Sequence, residues 1–436
     1  MKLLSNTMSE AITEIASQKA NGYPVMKLDL EWSISGVDAF TAPRIHELTT
    51  LRDYKNGAYD TTTMIIDISV YDYQTKLYPR KNMLYCSLTR TPCTVRGVST
   101  TSAVEARYYK VILLTLEDHE LFDQSTAGTT DSEKINATMQ IGIQLIEEPL
   151  YKSMYSRMAG VFGPGVIEDY LYYLMSNRGE LKCSIHPPDN VTDVEDVILP
   201  EKNIDLIDIA NWLQREGPGI YNHGINTYFQ TDMMYVYPVA LLDTHEYRRK
   251  IVVYRAGNQS GISSDHGHAI IDGQLKIISA GDIEVAPGES RVVDERELLE
   301  QVHGNAIRWN SPLYQSNIIN QENNTPRFTS KGASLYGMSD VDLKITRVHK
   351  LHTVNGFNQK SIINKTIGRV ITIPWVGGKI DLIEPGTEVT YVYMVGDGMK
   401  YTTGIVEGTS ERLSPVDGRP SENLFNVQTV LRLRVT

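Results

Sequence analysis

Cysteine is scarce in this chain of 436 residues. Cys86, Cys93 and Cys183 are an odd number with no CxxC spacing, which excludes a disulfide framework and the common zinc-binding patterns and predicts reduced thiols. Cys86 and Cys93 flank a Thr-Arg-Thr-Pro stretch and could meet across a hairpin, although burial as free thiols suits them better. Phenylalanine is rare too: 7 against 25 tyrosines, which points to many half-buried aromatic positions with one wet end, a habit of strands and interfaces. Long apolar runs are missing. Tyr170 to Met175 and Val111 to Leu114 fall far short of the ~18 residues a membrane-spanning helix needs, so no membrane insertion is expected. Met1 to Ser5 lacks the hydrophobic core and cleavage site of a signal peptide, and no export is expected. A basic excess is absent as well: the net charge of -11 argues against a dedicated DNA binder, because such domains gather Lys and Arg to neutralise phosphates. No GxGxxG, GxxxxGK[ST], GxSxG or HExxH motif occurs.

What is present is a globular composition, 41% hydrophobic and 22% charged, over a length that suits two to four domains of about 100–200 residues. The stretch from Asp205 to Pro238 organises the rest. Leu206, Ile209, Ala210 and Leu213 fall on one helix face, and Gly217-Pro218-Gly219 must end that helix. Beyond the break come Tyr228 and Phe229 and then Met233 to Tyr237, residue types that fill a pleated surface, with Pro238 closing the run.

Taken in order, the chain opens with a short helix, a capping-box spacing at Thr7 and Glu10 leading into Ile12, Ile15 and Ala16 before Asn21-Gly22. Strand signals follow in the alternation from Met26 to Ile34, in Met64 to Val70 and in Arg107 to Leu116, with a loop at Ser99 to Ser102. Asp123 to Glu133 reads as a linker. Helices are expected at Pro149 to Met158 and Val166 to Ser176, a strand at Met139 to Leu145, and a rigid turn at His186 to Asp189. Strands return at Lys250 to Arg255, Gln274 to Ser279 and Asp282 to Ala286, then a short helix from Asp294 to His303 and a long Asn-rich loop from Ser311 to Gly337. Four more strand-like runs begin at Leu343, Arg369, Val389 and Asn426. The pattern is mainly β with an α+β middle region: a first β domain with its N-terminal helix over residues 1–122, a mixed α/β region over 134–245, and a second β domain over 246–436 that carries the loop 311–337.

Trp212 inside the helix, Gly219-Ile220-Tyr221 after the break, the Tyr228-Phe229 pair and the strand Tyr235-Val236-Tyr237-Pro238 together resemble the central region of baseplate hub proteins of tailed bacteriophages with contractile tails. The resemblance implies two tube-type, barrel-like β domains flanking other elements. It implies a homotrimer whose six β domains form a ring, adapting a six-fold tail tube to a three-fold central spike. Its partners would be the tube protein, the spike, and other baseplate or tape-measure proteins, with DNA passing through a channel without specific binding. Such a protein is non-enzymatic, needs no cofactor, and belongs to the virion tail after assembly in the host cytoplasm. A tail-associated cell-wall hydrolase and a host-receptor binding tail protein stand as alternatives.

Candidate chemistry is thin. Asp265-His266-Gly267-His268 offers two imidazoles and a carboxylate, but no further ligand has a matching spacing, and a polar loop is expected instead of a metal site. Glu147 and Glu148 are adjacent and cannot flank one glycosidic bond, so a solvated helix start is expected. His349 and His352 sit three apart in an alternating run and point to opposite faces. Trp212, Tyr221, Tyr228, Phe229, Tyr235 and Tyr237 are the residues singled out, as core or as subunit interface, since aromatics dominate both settings.

Overall fold

The computed structural model describes residues 2–19, 25–93, 105–114, 137–238, 250–255, 267–285 and 369–435, with short breaks inside several of these spans. The expected loop at Ser99 to Ser102, the linker at Asp123 to Glu133, the short helix at Asp294 to His303, the loop 311–337, the strand beginning at Leu343, and His349 and His352 lie outside the described residues.

The chain is mainly β. Its principal strands are β1 (Val25–Ser33), β2 (Arg44–Asp53), β3 (Thr61–Ser69), β4 (Tyr85–Cys93), β5 (Glu105–Leu113), β6 (Thr138–Glu147), β7 (Lys182–Ile185), β8 (Ile225–Gln230), β9 (Met233–Pro238), β10 (Ile251–Arg255), β11 (Gly267–Ile271), β12 (Gln274–Ser279), β13 (Arg369–Val376), β14 (Glu388–Val395), β15 (Gly398–Pro415) and β16 (Leu424–Val435). All but β7, β8 and β9 belong to one continuous sheet.

Within that sheet eight strands close on themselves. β15 pairs with β2, and the ladder runs on through β3, β6, β5, β4 and β1 to β16, which pairs back with β15. The interior follows from period-2 patterning. Leu28, Leu30 and Trp32 of β1 point inward between outward Asp29 and Glu31, and Met64, Ile66 and Ile68 of β3 and Ile141, Ile143 and Leu145 of β6 meet them in one apolar core. β6 lies beyond the expected linker and still belongs to this first β half, because its inward isoleucines complete that core.

The two longest strands run on into a second β half. One edge of β15 pairs with β14 over Gly398–Ile405 and then, after a bulge at Glu407, with β2 over Gly408–Leu413. One edge of β16 pairs with β1 near Leu424 and with β13 over Gln428–Val435. β14 continues in parallel to β10 and β12, and β11 closes the edge as a hairpin partner of β12. The second core holds Val253, Ile277, Ile373, Trp375, Val389 and Leu433. Gly404 and Gly408 let the backbones meet here: a Cβ would sit 2.1 Å from the Arg434 carbonyl in the first case and 2.3 Å from the Arg52 carbonyl in the second.

Two expectations need correction. The N-terminal helix α1 (Lys2–Lys19) begins before Thr7, so the Thr7 to Glu10 spacing is not its cap. It also packs away from the first β half: Met8, Ala11 and Ile15 form one helical stripe that lies on Tyr254, Ala269 and Ile278 of the second. Cys86 and Cys93 stand at the two ends of the single strand β4, both buried and free, and do not face each other across a hairpin.

The middle region packs α2 (Glu148–Tyr155), α3 (Ile167–Tyr172) and α4 (Ile209–Arg215) around the sheet β7-β9-β8. Ile146 at the end of β6 already belongs to this middle core, so the strand passes from one core into the next.

Candidate functional site

The hairpin of β8 and β9 is a wall between two cores. Phe229, Met234 and Val236 face the middle core, while Tyr228, Tyr235 and Tyr237 face the second β half. A strand covered on both faces reads as a continuous apolar run, which explains the MMYVYP sequence. The turn between the strands is tight: Thr231 and Asp232 both have positive φ, 48° and 64°. Such two-residue turns usually employ Asn-Gly, and a β-branched residue held there is strained, so its surroundings must fix it.

Those surroundings form an ionic seam where the first half, the second half and the hairpin meet. Arg52 of β2, with its side chain 1% exposed, donates from Nε to Asp60 at 2.9 Å and from Nη2 to Asp381 at 2.5 Å. Asp381 sits in the short turn Ile380–Leu382 of the second half. Its other oxygen accepts from Arg107 Nη2 of β5 at 3.0 Å, and Thr231 Oγ1 donates at 3.4 Å to the same oxygen as Arg52. Arg107 Nη1 also lies 3.9 Å from Glu147 at the end of β6, whose other oxygen accepts the Asp232 backbone N–H at 3.0 Å. Arg90 of β4 pairs with Glu411 of β15, and Arg434 of β16 with Glu407 at the bulge.

Beside the charges runs a neutral chain. Tyr54 Oη donates to Gln230 Oε1 at 2.9 Å, Gln230 Nε2 donates to the Ile383 carbonyl at 2.7 Å, and Tyr237 Oη donates to the Tyr54 carbonyl at 3.2 Å. Tyr54 and Tyr228 meet edge to face, centroids 4.8 Å apart. Each link joins segments far apart in sequence.

The electrostatics follow from this packing. Burial alone would raise the Asp381 carboxyl, but the Arg52 and Arg107 guanidiniums outweigh it and hold the group well below the usual carboxylate range. Glu147 goes the other way: burial and the charge of Asp60 push its carboxyl from an ordinary 4.5 up to about 7, against the Asp232 N–H and the arginines. Glu147 is therefore no solvated helix start, because the strand end that carries it is covered by the hairpin turn. Elsewhere His268 is a half-buried strand residue of β11 and not part of a polar loop. Its Nδ1 accepts from Trp375 Nε1 at 3.3 Å, and burial together with Lys379 lowers it from an ordinary 6.5 to about 4. Asp265 and His266 lie outside the described residues, and among the described residues no three His, Cys, Asp or Glu side chains group as a metal site.

The singled-out aromatics are brought to one place, the wall and the helix behind it. Tyr221 is buried, its Oη donating to the His186 carbonyl at 2.5 Å, and Gln214 Oε1 accepts its backbone N–H at 3.0 Å. Tyr228, Phe229, Tyr235 and Tyr237 are buried, whereas Trp212 is half-buried against the middle core. Sequence reasoning missed Arg52, Arg107, Asp60 and Asp381, and it missed the strand β15 altogether. The partners Arg52 and Asp381 are 329 positions apart, and no local pattern could have paired them.

No family model matches the chain, and no curated protein does. Among solved structures, the fold is similar first of all to tail proteins of phages and prophages. A 43 kDa tail protein of prophage MuSo2 from Shewanella oneidensis shares 9% identity at a TM-score of 0.41, over 93% of this chain and 97% of that one. A tail protein from Neisseria meningitidis shares 12% at 0.41, over 94% and 96%. An E. coli component of the type VI secretion system, itself described as similar to bacteriophage T4 tail proteins, shares 8% at 0.40, over 93% and 76%. Likenesses this distant carry no weight for function.

Proposed function

We propose that the chain is a structural baseplate hub component of a contractile phage tail, a trimeric ring joining the tail tube to the central spike around a channel for DNA. The observation that carries this reading is the pair of β halves built on the shared strands β15 and β16, joined side by side. Two tube-type, barrel-like β domains per chain are what the sequence resemblance implies, and three chains would then present six of them to a six-fold tube. The three-part division is kept in this reading with three changes: the last two strands of the second domain complete the first, β6 joins the first from the middle region, and α1 packs on the second.

The role is mechanical and not enzymatic. The seam's charged groups are tied to one another across segments of the chain, and Tyr221, Tyr228, Phe229, Tyr235 and Tyr237 are buried within the chain, while the half-buried Trp212 keeps one face open. Cyclic closure needs one face of a subunit to meet a different face of the next, and an obligate interface buries about 2,000–5,000 Å². A net charge of -11 suits a channel that lets DNA slide without holding it. Light scattering coupled to gel filtration, with and without tube or spike protein, tests the reading. A species of three chains is expected in at least one condition. A particle that stays near 49.0 kDa in both, or peptidoglycan cleavage in a zymogram, would sink it.

A further inference from the structure

We propose that Arg107 is a two-position latch: it ties the first β half to Asp381 of the second when Glu147 is protonated, and turns to Glu147 when that carboxyl ionises, so that proton loss at Glu147 loosens the joint between the halves.

The geometry sets up the competition. Arg107 reaches Asp381 at 3.0 Å and already stands 3.9 Å from Glu147, so a small rotation exchanges one partner for the other. Charge counting says which proton matters. With Arg434 and Arg432 matched by Glu407 and Asp53, the seam sets the guanidiniums of Arg52, Arg90 and Arg107 against the carboxyls of Asp60, Asp381, Glu411 and Glu147, three cations for four acids. Burial disfavours an unmatched charge, so one acid keeps its proton. Asp60 and Glu147 are both raised by burial, but Asp60 is held by Arg52 at 2.9 Å, whereas the nearest guanidinium to Glu147 is 3.9 Å away. Glu147 is the acid left over.

The groups that face Glu147 all enter this balance. From β5 come Arg107 and, in register with Glu147 itself, Tyr109; from β2 and the turn after it come Arg52 and Asp60. The hairpin turn supplies the Asp232 N–H, which favours the ionised form, and the Asp232 side chain is itself paired with Lys182. Asp381 is the member that can leave. Its side chain is 39% exposed, and its turn is held by the Leu382 and Ile383 N–H groups donating to Lys379 and Ile380, by Gln230 on the Ile383 carbonyl and by Arg52 on Asp381, so Arg107 is one tie among several and its departure loosens the turn without freeing it.

Hydrogen exchange read by mass spectrometry on the full chain tests the latch, with rates corrected for their intrinsic pH dependence. Protection of the segment from Lys379 to Ile383 should fall about five- to tenfold between pH 6 and pH 8.5, while β3 in the apolar core stays unchanged. In Glu147→Gln the segment should remain protected at both pH values. In Asp381→Asn it should be open at both. Equal protection in the wild type at the two pH values, or a Glu147→Gln chain that still opens with pH, overturns the proposal. The wild-type comparison alone decides it if neither variant folds.

Discussion

The interior of the first β half changes character along its length. At one end Leu28, Leu30, Ile66 and Ile141 make a dry core, and at the other Arg52, Arg90, Arg107, Glu147 and Glu411 make an ionic one, capped by Asp381 from the second half. Apolar contact is strong and non-directional, about 25 cal/mol for each Å² removed from water, and it accepts any partner of fitting shape. A buried guanidinium accepts only carboxylates in the right place, and its desolvation cost offsets most of what the pair returns. The dry end supplies stability. The ionic end supplies orientation, since together with the neutral chain through Tyr54 and Gln230 it specifies how the second half and the hairpin meet the first.

The comparison breaks most severely at the glycines that let the halves touch. Gly408→Val would place a side chain against the Arg52 backbone, which cannot give way, and should cost about 4 kcal/mol or more. Loss of soluble protein is expected on expression, whereas wild-type yield would mean that the strands can separate there at little cost.

Next comes the seam itself. Arg52→Ala removes the cation between Asp60 and Asp381 and should destabilise by about 3–5 kcal/mol in urea melts, as much as Leu30→Ala in the dry core at about 2–5 kcal/mol. The two sites part company on rescue. Adding Asp60→Asn and Asp381→Asn to an Arg52→Met chain should recover most of the loss, because no unpaired charge remains. Additive losses would show the seam to be a net source of stability and not of orientation.

Acid and base sharpen the contrast. Glu147 has its folded value raised, so its contribution is fully present below about pH 4.5 and is lost as pH rises through about 7. His268 has its folded value lowered, so its contribution is present above pH 6.5 and is lost as pH falls towards about 4. Glu147→Gln should therefore stabilise by about 1–3 kcal/mol at pH 8 and do little at pH 4.5, and His268→Gln should flatten the acid limb alone. Thermal melts across pH 4–9 check both, and a Glu147→Gln curve parallel to wild type would contradict the burial of that carboxyl.

The smallest expected effect is at Trp212. Burial would have made Trp212→Ala cost about 3–5 kcal/mol, but the indole is only half-covered, and about 1–2 kcal/mol is expected in the same melts. A larger loss would mean that a partner covers its open face.

Period-2 alternation made β1, β3 and β6 legible, and helical spacing did the same for α4, because each buries one clean face. β15 was not legible. Thr409 and Glu411 point inward along it and Glu407 is buried at the bulge, so the part of the strand that lies deep in the molecule reads like an exposed loop. α1 was legible as a helix but not in its place, since its stripe of Met8, Ala11 and Ile15 fits any apolar surface and says nothing of which. The two-faced burial of β9 marked it as central, but whether it separates two cores or two subunits was a matter for the structure.

The shared strands also set a timetable for synthesis. β1 and β2 each need a neighbour from residues 408–425, and the Ile45 N–H is bonded to Asn423, 378 positions further along the chain. As the polypeptide emerges, the first half has most of its apolar side chains long before it has the strands that close it, which bring Leu413 and Phe425 to the same core. It must wait with two bare edges, the arrangement most open to pairing with another nascent chain. Ribosome-bound chains arrested before residue 398 should then be protease-sensitive throughout the first half, and those that expose residue 435 should not.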